Sequence, residues 1–258
     1  MRYEVNMKIK VFSFNIRMDT EGDGINYFPH RTGRIKELIE REQPDLIGFQ
    51  ETREMARKWL SENLTDYTVL GCGRYKGFKN EGVTIAYKRD KFDIFSFNTE
   101  WLSTEPTVQE STYGGDQSPC PRILQYATLI PRDGSEPFAF FNVHLDHMGN
   151  DAKKFGAMQT LQRILAQPYK FILTGDFNSA PEDAAITIIK NCKSRNITDV
   201  STGLGQSYHG WGEFTEYPQI DYIFTDFEKY ENVHLIKDEH PNGVYYTDHY
   251  IVSAEIEI

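Results

Sequence analysis

Acids, amides and histidines recur at one kind of place in this chain, the ends of short apolar runs. In "FILTGDFNSAPED" (Phe171–Asp183), a β-prone run climbs to Gly175, and Asp176 and Asn178 follow. Asp and Asn favour such strand ends because they bond their own backbone. Taken singly, this tip reads as a turn. The pattern repeats, however. "VFSFNIR" ends on Asn15 and Arg17, and "DLIGFQE" on Gln50 and Glu51. "FNVHLDH" alternates so that Asn142, His144 and Asp146 share one face. "QIDYIF" sets Asp221 inside an apolar run, and "YTDHYIV" opens on Asp248 and His249. Burying six such tips apart, each without partners, is costly, so they are expected to meet in one cleft. Oxygen donors from Asn, Glu and Asp suit a hard cation such as Mg²⁺, with Mn²⁺ as a substitute. A carboxylate beside the metal can activate water, and an Asp-oriented His can serve a phosphate oxygen. These are the parts of a metal-assisted phosphoester hydrolase. No GxSxG elbow supports a serine hydrolase, and no GxGxxG or P-loop follows a strand, which argues against nucleotide cofactors.

The elements that must position these groups are legible as an alternation. Strands are expected at Lys10–Ile16, Asp45–Glu51, Val69–Gly71, Gly82–Lys88, Phe92–Trp101, Ile123–Ile130, Phe138–Leu145, Phe171–Phe177 and Tyr250–Ile258. Ile35, Leu38 and Ile39 mark a helix stopped by Pro44, and Met55, Ala56, Trp59 and Leu60 mark another. Phe155, Met158, Leu161, Ile164 and Leu165 stripe a third, and Pro181 suits the N1 position of a fourth. Leu102–Arg122 is polar and aperiodic, a mobile insertion or a substrate-facing loop. The strands lie too close together for a helix between every pair, so some must pair antiparallel. The expected class is α/β with mixed sheets: a tail at residues 1–7, then one domain over residues 8–258.

Composition narrows the partners. The 258 residues include 17 Phe and 15 Tyr, ample for a core, and the formal net charge is −10. Such a surface disfavours stable binding to long duplex nucleic acid, which relies on many Lys and Arg contacts. Cys72, Cys120 and Cys192 are scattered and odd in number, which suits a reducing compartment and argues against a zinc site. No run approaches the roughly 18 apolar residues of a membrane span. A cytoplasmic monomer is the expectation.

At "FNIR", "QET", "NVHLDH", "TGDFNSAP", "IDYIF" and "TDH" the chain resembles the endonuclease/exonuclease/phosphatase superfamily with its deoxyribonuclease-like fold. Each motif is weak alone, and six in the family's order are a strong match spanning Lys10 to Ile258. "EWLSTEP" and Pro121–Arg122 are most similar to bacterial members related to deadenylase-type proteins. The resemblance implies a four-layer α/β sandwich, two mixed sheets packed face to face with helices outside. It further implies Asn15, Glu51 and Asp248 as Mg²⁺ ligands, and Asp176 as the residue that orients or deprotonates the attacking water. Asn178 would hold the phosphate, Asp221 and His249 would form a pair at the scissile phosphate, and His144 would be a second phosphate-side histidine. Arg31, Arg122 and Asp146 would contact or support the substrate, although a tryptophan expected upstream of Arg31 is absent, and lysines (Lys153, Lys154) stand where relatives often carry arginine.

Other residues admit two readings. His209, between aromatic and glycine residues, is a rim ligand or a loop histidine, and His30, His147, His234 and His240 read as surface. Trp211 and Phe214 either stack a base or close the core; Tyr87 reads as core. The expected activity is hydrolysis of a phosphoester at nucleic-acid 3′ ends, short or single-stranded. A small phosphoester such as an inositol phosphate or phospholipid head group is the alternative. An inactive binding module on the same fold is the reading of another class, and the complete set of site residues argues against it.

Overall fold

A computed structural model describes residues 7–238 and 241–258; residues 1–6 of the expected tail and His240 lie outside the described residues. The first sheet contains β1 (Lys8–Asn15), β2 (Leu46–Thr52), β3 (Tyr67–Tyr75), β4 (Lys79–Lys88), β11 (Tyr230–Ile236) and β12 (Ile251–Glu257). The second contains β5 (Phe92–Trp101), β6 (Ile123–Pro131), β7 (Phe138–His144), β8 (Lys170–Asp176), β9 (Thr198–Asp199) and β10 (Asp221–Thr225). Their orders are β11-β12-β1-β2-β4-β3 and β5-β6-β7-β8-β10-β9. Both sheets are mixed. Each has one parallel pair near its middle, β1–β2 and β7–β8, and the other pairs are antiparallel. The parallel pairs are bridged by helices, α1 (Phe28–Glu42) in the first sheet and α3 (Asn150–Leu165) in the second, as parallel strands need a long crossover.

Strand alternation sorts the apolar residues into three seams. Val11, Leu46 and Ile85 of the first sheet meet Phe138, Phe140, Ile172 and Ile223 of the second. On the outer face of the first sheet Phe12, Phe14, Ile47 and Phe49 receive Ile35, Leu38 and Ile39 of α1, and Ala56 and Leu60 of α2 (Glu54–Asn63). Phe141, Val143 and Leu173 lie under α3 and α4 (Ala184–Lys190). The result is helix, sheet, sheet, helix, the expected four-layer sandwich.

One part of the seam is polar. Gln50 donates to Asn142 Oδ1 at 2.7 Å, and Asn142 in turn donates to the carbonyls of Phe49 and Thr84 across the sheets. The sheets approach closely here because residue 48 is glycine: a Cβ on it would collide with the Thr174 hydroxyl and the Asn142 amide. The Asn142 amide, with both its oxygen and its nitrogen paired across the seam, favours one register of sheet on sheet.

Two expectations change. Pro181 does not begin α4; it lies in a turn, and Asp183 is the N-cap residue of a helix that starts at Ala184. β11 has no counterpart in the expected strands. Its sequence "YENVHLI" is polar and mostly exposed because it pairs only at an outer edge. Leu102–Arg122 contains no helix or strand beyond its ends.

Candidate active site

Backbone register alone aligns the first three side chains. His144 at the end of β7 lies opposite Asp176 at the end of β8, and Asp176 lies opposite Asp221 at the start of β10. From the facing sheet, Asn15 at the end of β1 donates its amide to Asp176 Oδ2 at 2.9 Å and to Glu51 Oε1 at 3.2 Å. The segment before β12 brings Asp248 and His249, tied to β1 by the Thr247 hydroxyl, which donates to the Asn15 carbonyl at 2.7 Å. A cleft of about 430 Å³ opens here, and Glu51, His144, Asp176, Asn178, Asp248 and His249 line it. Asn15 and Asp221 stand behind that lining as their hydrogen-bond partners.

The turn reading of the strand tip is also correct: Asp176 Oδ1 accepts from the Asn178 N–H at 2.9 Å. Yet the backbone here is unusual. Arg17, Glu51 and Asn178 have φ of 57°, 61° and 48°, a left-handed conformation that Asn tolerates and Arg and Glu rarely adopt. At Glu51 the strain coincides with a register shift between β2 and β4. Strained residues of this kind persist where surrounding contacts hold them, and they cluster at functional sites.

The electrostatics follow from the burial of several acids together. Burial, then the charge of Asp221, pushes the Asp176 carboxyl up to about 7. Burial also raises Asp248. Glu51 would rise for the same reason, but the Arg17 charge and the Met18 N–H hold it below the usual carboxylate range. Burial alone would lower His249, yet Asp221, bonded to Nδ1 at 2.8 Å, together with Asp248 and Asp176, carries it up to about 10. His144 goes the other way. Burial and the neighbouring Arg122 and Arg74 keep it well below the ordinary imidazole value. Its Nε2 faces the Asn178 side-chain nitrogen at 3.0 Å, and an amide nitrogen only donates. His144 is therefore the neutral tautomer with its proton on Nδ1.

A hard divalent cation fits this donor set. Asn15, Glu51 and Asp248 offer side-chain oxygens as ligand atoms, and Asp176, Asp221 and Asp248 bring three buried carboxyl groups to the same end of the cleft. Asp176, Asp221 and His249 also bring one ligand atom each to within 4.8 Å of one another. One nitrogen in that group, already bonded to Asp221, suits a hard cation less well.

Three expected substrate contacts lie elsewhere. Arg31 is fully buried outside the cleft lining, and its guanidinium donates to the carbonyls of Ile16, Arg17 and Asn26 and to that of Tyr246. It ties α1 to the strand ends instead of meeting solvent. Asp146 is likewise buried and accepts from the N–H groups of Ser118, Met148 and Gly149. His209 is buried against Tyr245 and Tyr250, with Nδ1 accepting from the Gly212 N–H. Trp211 packs over the Arg31 guanidinium and beside Tyr245, also away from the cleft. Arg122 does line it. So do three residues that sequence reasoning missed or left on the surface: Arg74, Glu81 and His147. Arg74 falls in a register shift of the β3–β4 hairpin, a break in alternation that conceals its direction.

A model of the "Endonuclease/Exonuclease/phosphatase family" matches residues 12–249, from β1 to His249. The chain belongs to that family. Its members hydrolyse phosphoester bonds and are generally dependent on divalent metal. Protein L388 of Acanthamoeba polyphaga mimivirus is 26% identical over 234 residues, covering 84% of this chain and 87% of its own. A family structure from Bacteroides vulgatus superposes with a TM-score of 0.89 at 24% identity, over 98% of this chain and 99% of that one. The mannosyl-6-phosphatase Bt3783 of Bacteroides thetaiotaomicron does so at 0.79 and 24%, over 96% and 99%. These structures share the fold.

Proposed function

We propose that this family member is a Mg²⁺-dependent hydrolase of a small phosphoester, with Asp176 as the base that accepts a proton from the attacking water. The observation that carries this reading is the setting of Asp176, a buried carboxylate between Asn15, two histidines and the Asp221 carboxylate. The Asn15 amide and the Asn178 N–H each occupy one of its oxygens, which fixes the carboxylate's orientation. A divalent cation, held by Asn15, Glu51 and Asp248, would offset charge on the phosphate and lower the pKa of water. His249, kept cationic by Asp221, donates to a phosphate oxygen, while Asn178, oriented by its bond to His144 Nε2, holds the other side of the same group. The water oxygen bonds to phosphorus, its proton passes to Asp176, and the ester P–O bond breaks. The departing oxygen takes a proton from His249 or solvent. Burial keeps these donors aimed and dry, so little reorganisation is needed as charge develops.

A cleft of about 430 Å³ on a chain of net charge −10 suits a small substrate. One observation favours the second reading, a nucleic-acid 3′ end. Tyr208 and Tyr217 line the cleft beside His249, and Phe214 packs on both, so a base would find aromatic faces at the mouth. The test is phosphate release from sugar phosphates, inositol phosphates and labelled oligonucleotides, each with Mg²⁺ and with excess chelator. Metal-dependent turnover of sugar or inositol phosphates supports the proposal. Turnover of oligonucleotides alone supports the second reading, and undiminished turnover in chelator contradicts both.

A further inference from the structure

Part of the cleft lining carries two arginines whose donors are incompletely satisfied. They are Arg74 and Arg122, and both are nine-tenths or more buried. Arg74 Nη1 pairs with Glu81 Oε1 at 2.8 Å, and its Nε has no hydrogen-bond partner. Arg122 Nη2 meets His147 Nδ1 at 2.8 Å. Its Nε and Nη1 have no hydrogen-bond partner; Asp146 Oδ2 forms an ion pair with Nε at 3.6 Å but already accepts from the Ser118 hydroxyl, and Oδ1 takes the N–H groups of Ser118, Met148 and Gly149. After burial, the charge of Arg74 disfavours that of Arg122. Buried, charged donors left unmade are unfavourable, and an anion brought by a ligand would satisfy them.

His144 separates these arginines from the hydrolytic centre. Its Nε2 edge faces Asn178 and Asp176, and its Nδ1 edge faces Glu81 at 3.9 Å, with Arg74 beyond. The acceptor these arginines lack is therefore a group other than the phosphate being cleaved. We propose that Arg74 and Arg122 form a second anion subsite, and that the substrate is a phosphoester bearing a further phosphate or carboxylate beside the scissile phosphate. The part about the substrate rests on the hydrolase reading; the subsite itself does not. Glu81 holds Arg74 in place, and His147 caps Arg122 from the open side.

The test has two parts. In the first, the full-length protein is melted in excess chelator with sodium sulfate or with sodium chloride at equal ionic strength. The wild type is expected to gain melting temperature with sulfate specifically, and Arg122→Gln and Arg74→Gln are each expected to lose that gain. If one of them fails to fold, the other carries the test. In the second, Mg²⁺ is supplied and kcat/KM is compared for glucose 6-phosphate, glucose 1,6-bisphosphate and 6-phosphogluconate. The wild type should favour a bis-anionic sugar. Each Arg→Gln change should cut that preference by about ten- to a hundred-fold, the loss expected for a charged hydrogen bond. Arg122→Lys should fall between. Preference for the bisphosphate alone identifies the second group as phosphate, and preference for the phosphogluconate as carboxylate. No sulfate-specific gain in the wild type, or a gain that survives both substitutions, overturns the subsite. A lost gain without turnover of any of these sugars leaves the subsite standing and overturns the sugar-phosphate reading of the substrate.

Discussion

Asp221 and His249 illustrate how much one pair can carry at the residue scale. Asp221 is completely buried, and its carboxylate is what keeps the imidazole of His249 cationic. Asp221→Asn and His249→Ala should each lower turnover strongly, and the double variant should be no worse than the poorer single one. Rates that multiply cleanly would show the two act separately. Asp146 makes a different prediction, about stability. Its carboxyl is held down to about 2 by the Ser118 hydroxyl and the N–H groups of Gly149, Met148 and Ser118, against the opposing effect of burial. A carboxyl depressed in the folded state stabilises above its unfolded value near 4, and that contribution fades as pH falls toward 2. Asp146→Asn should lower the melting temperature at neutral pH and flatten the acid side of the stability curve. An unchanged profile between pH 4 and 2 would contradict the account.

Elements explain what could be read in advance and what could not. The polar tips of β1, β2, β8 and β10 were legible because strand ends keep their residues in register whatever lies between. Arg31 and His209 were not. Nothing in "FPHRTGRI" or "SYHGWGE" distinguishes a side chain that faces ligand from one satisfied by backbone groups, since both need a polar residue in a loop or first turn. Arg74 and Glu81 escaped notice for a related reason: "GRYKGFKNEG" reads as a solvated hairpin, and only the register shift turns Arg74 inward. Gly48 carries the prediction at this scale. Gly48→Ala should destabilise the fold by about 1–3 kcal/mol, because the new methyl collides with Thr174 and Asn142 across the sheets. Thr174→Ala should recover part of that loss in the double variant. Additive melting shifts would show that the sheets do not meet tightly at this point.

The whole molecule is acidic, with its few site cations set inside the cleft. Among the described residues no helix is long and apolar enough to cross a membrane. Positive charge beyond Arg17, Arg74 and Arg122 is sparse around the opening. Any nucleic acid must therefore be held by few phosphates. Binding of B-DNA should weaken with salt at a log–log slope no steeper than about −1 to −3, roughly one to three phosphates neutralised. An Asp176→Asn variant titrated with duplex and short oligonucleotide across a salt series checks this. A steep slope with tighter duplex binding would point to a duplex endonuclease.

The central claim is that Asp176 takes the proton of the attacking water. It is tested most directly by phosphate release from one small phosphoester, with Mg²⁺ at the same concentration, by wild type and Asp176→Asn. Asn keeps the shape and the bond to Asn178 but is a far weaker base. The account predicts a fall in kcat of about a hundred- to ten-thousand-fold with the melting temperature little changed. A variant that retains wild-type turnover would contradict it.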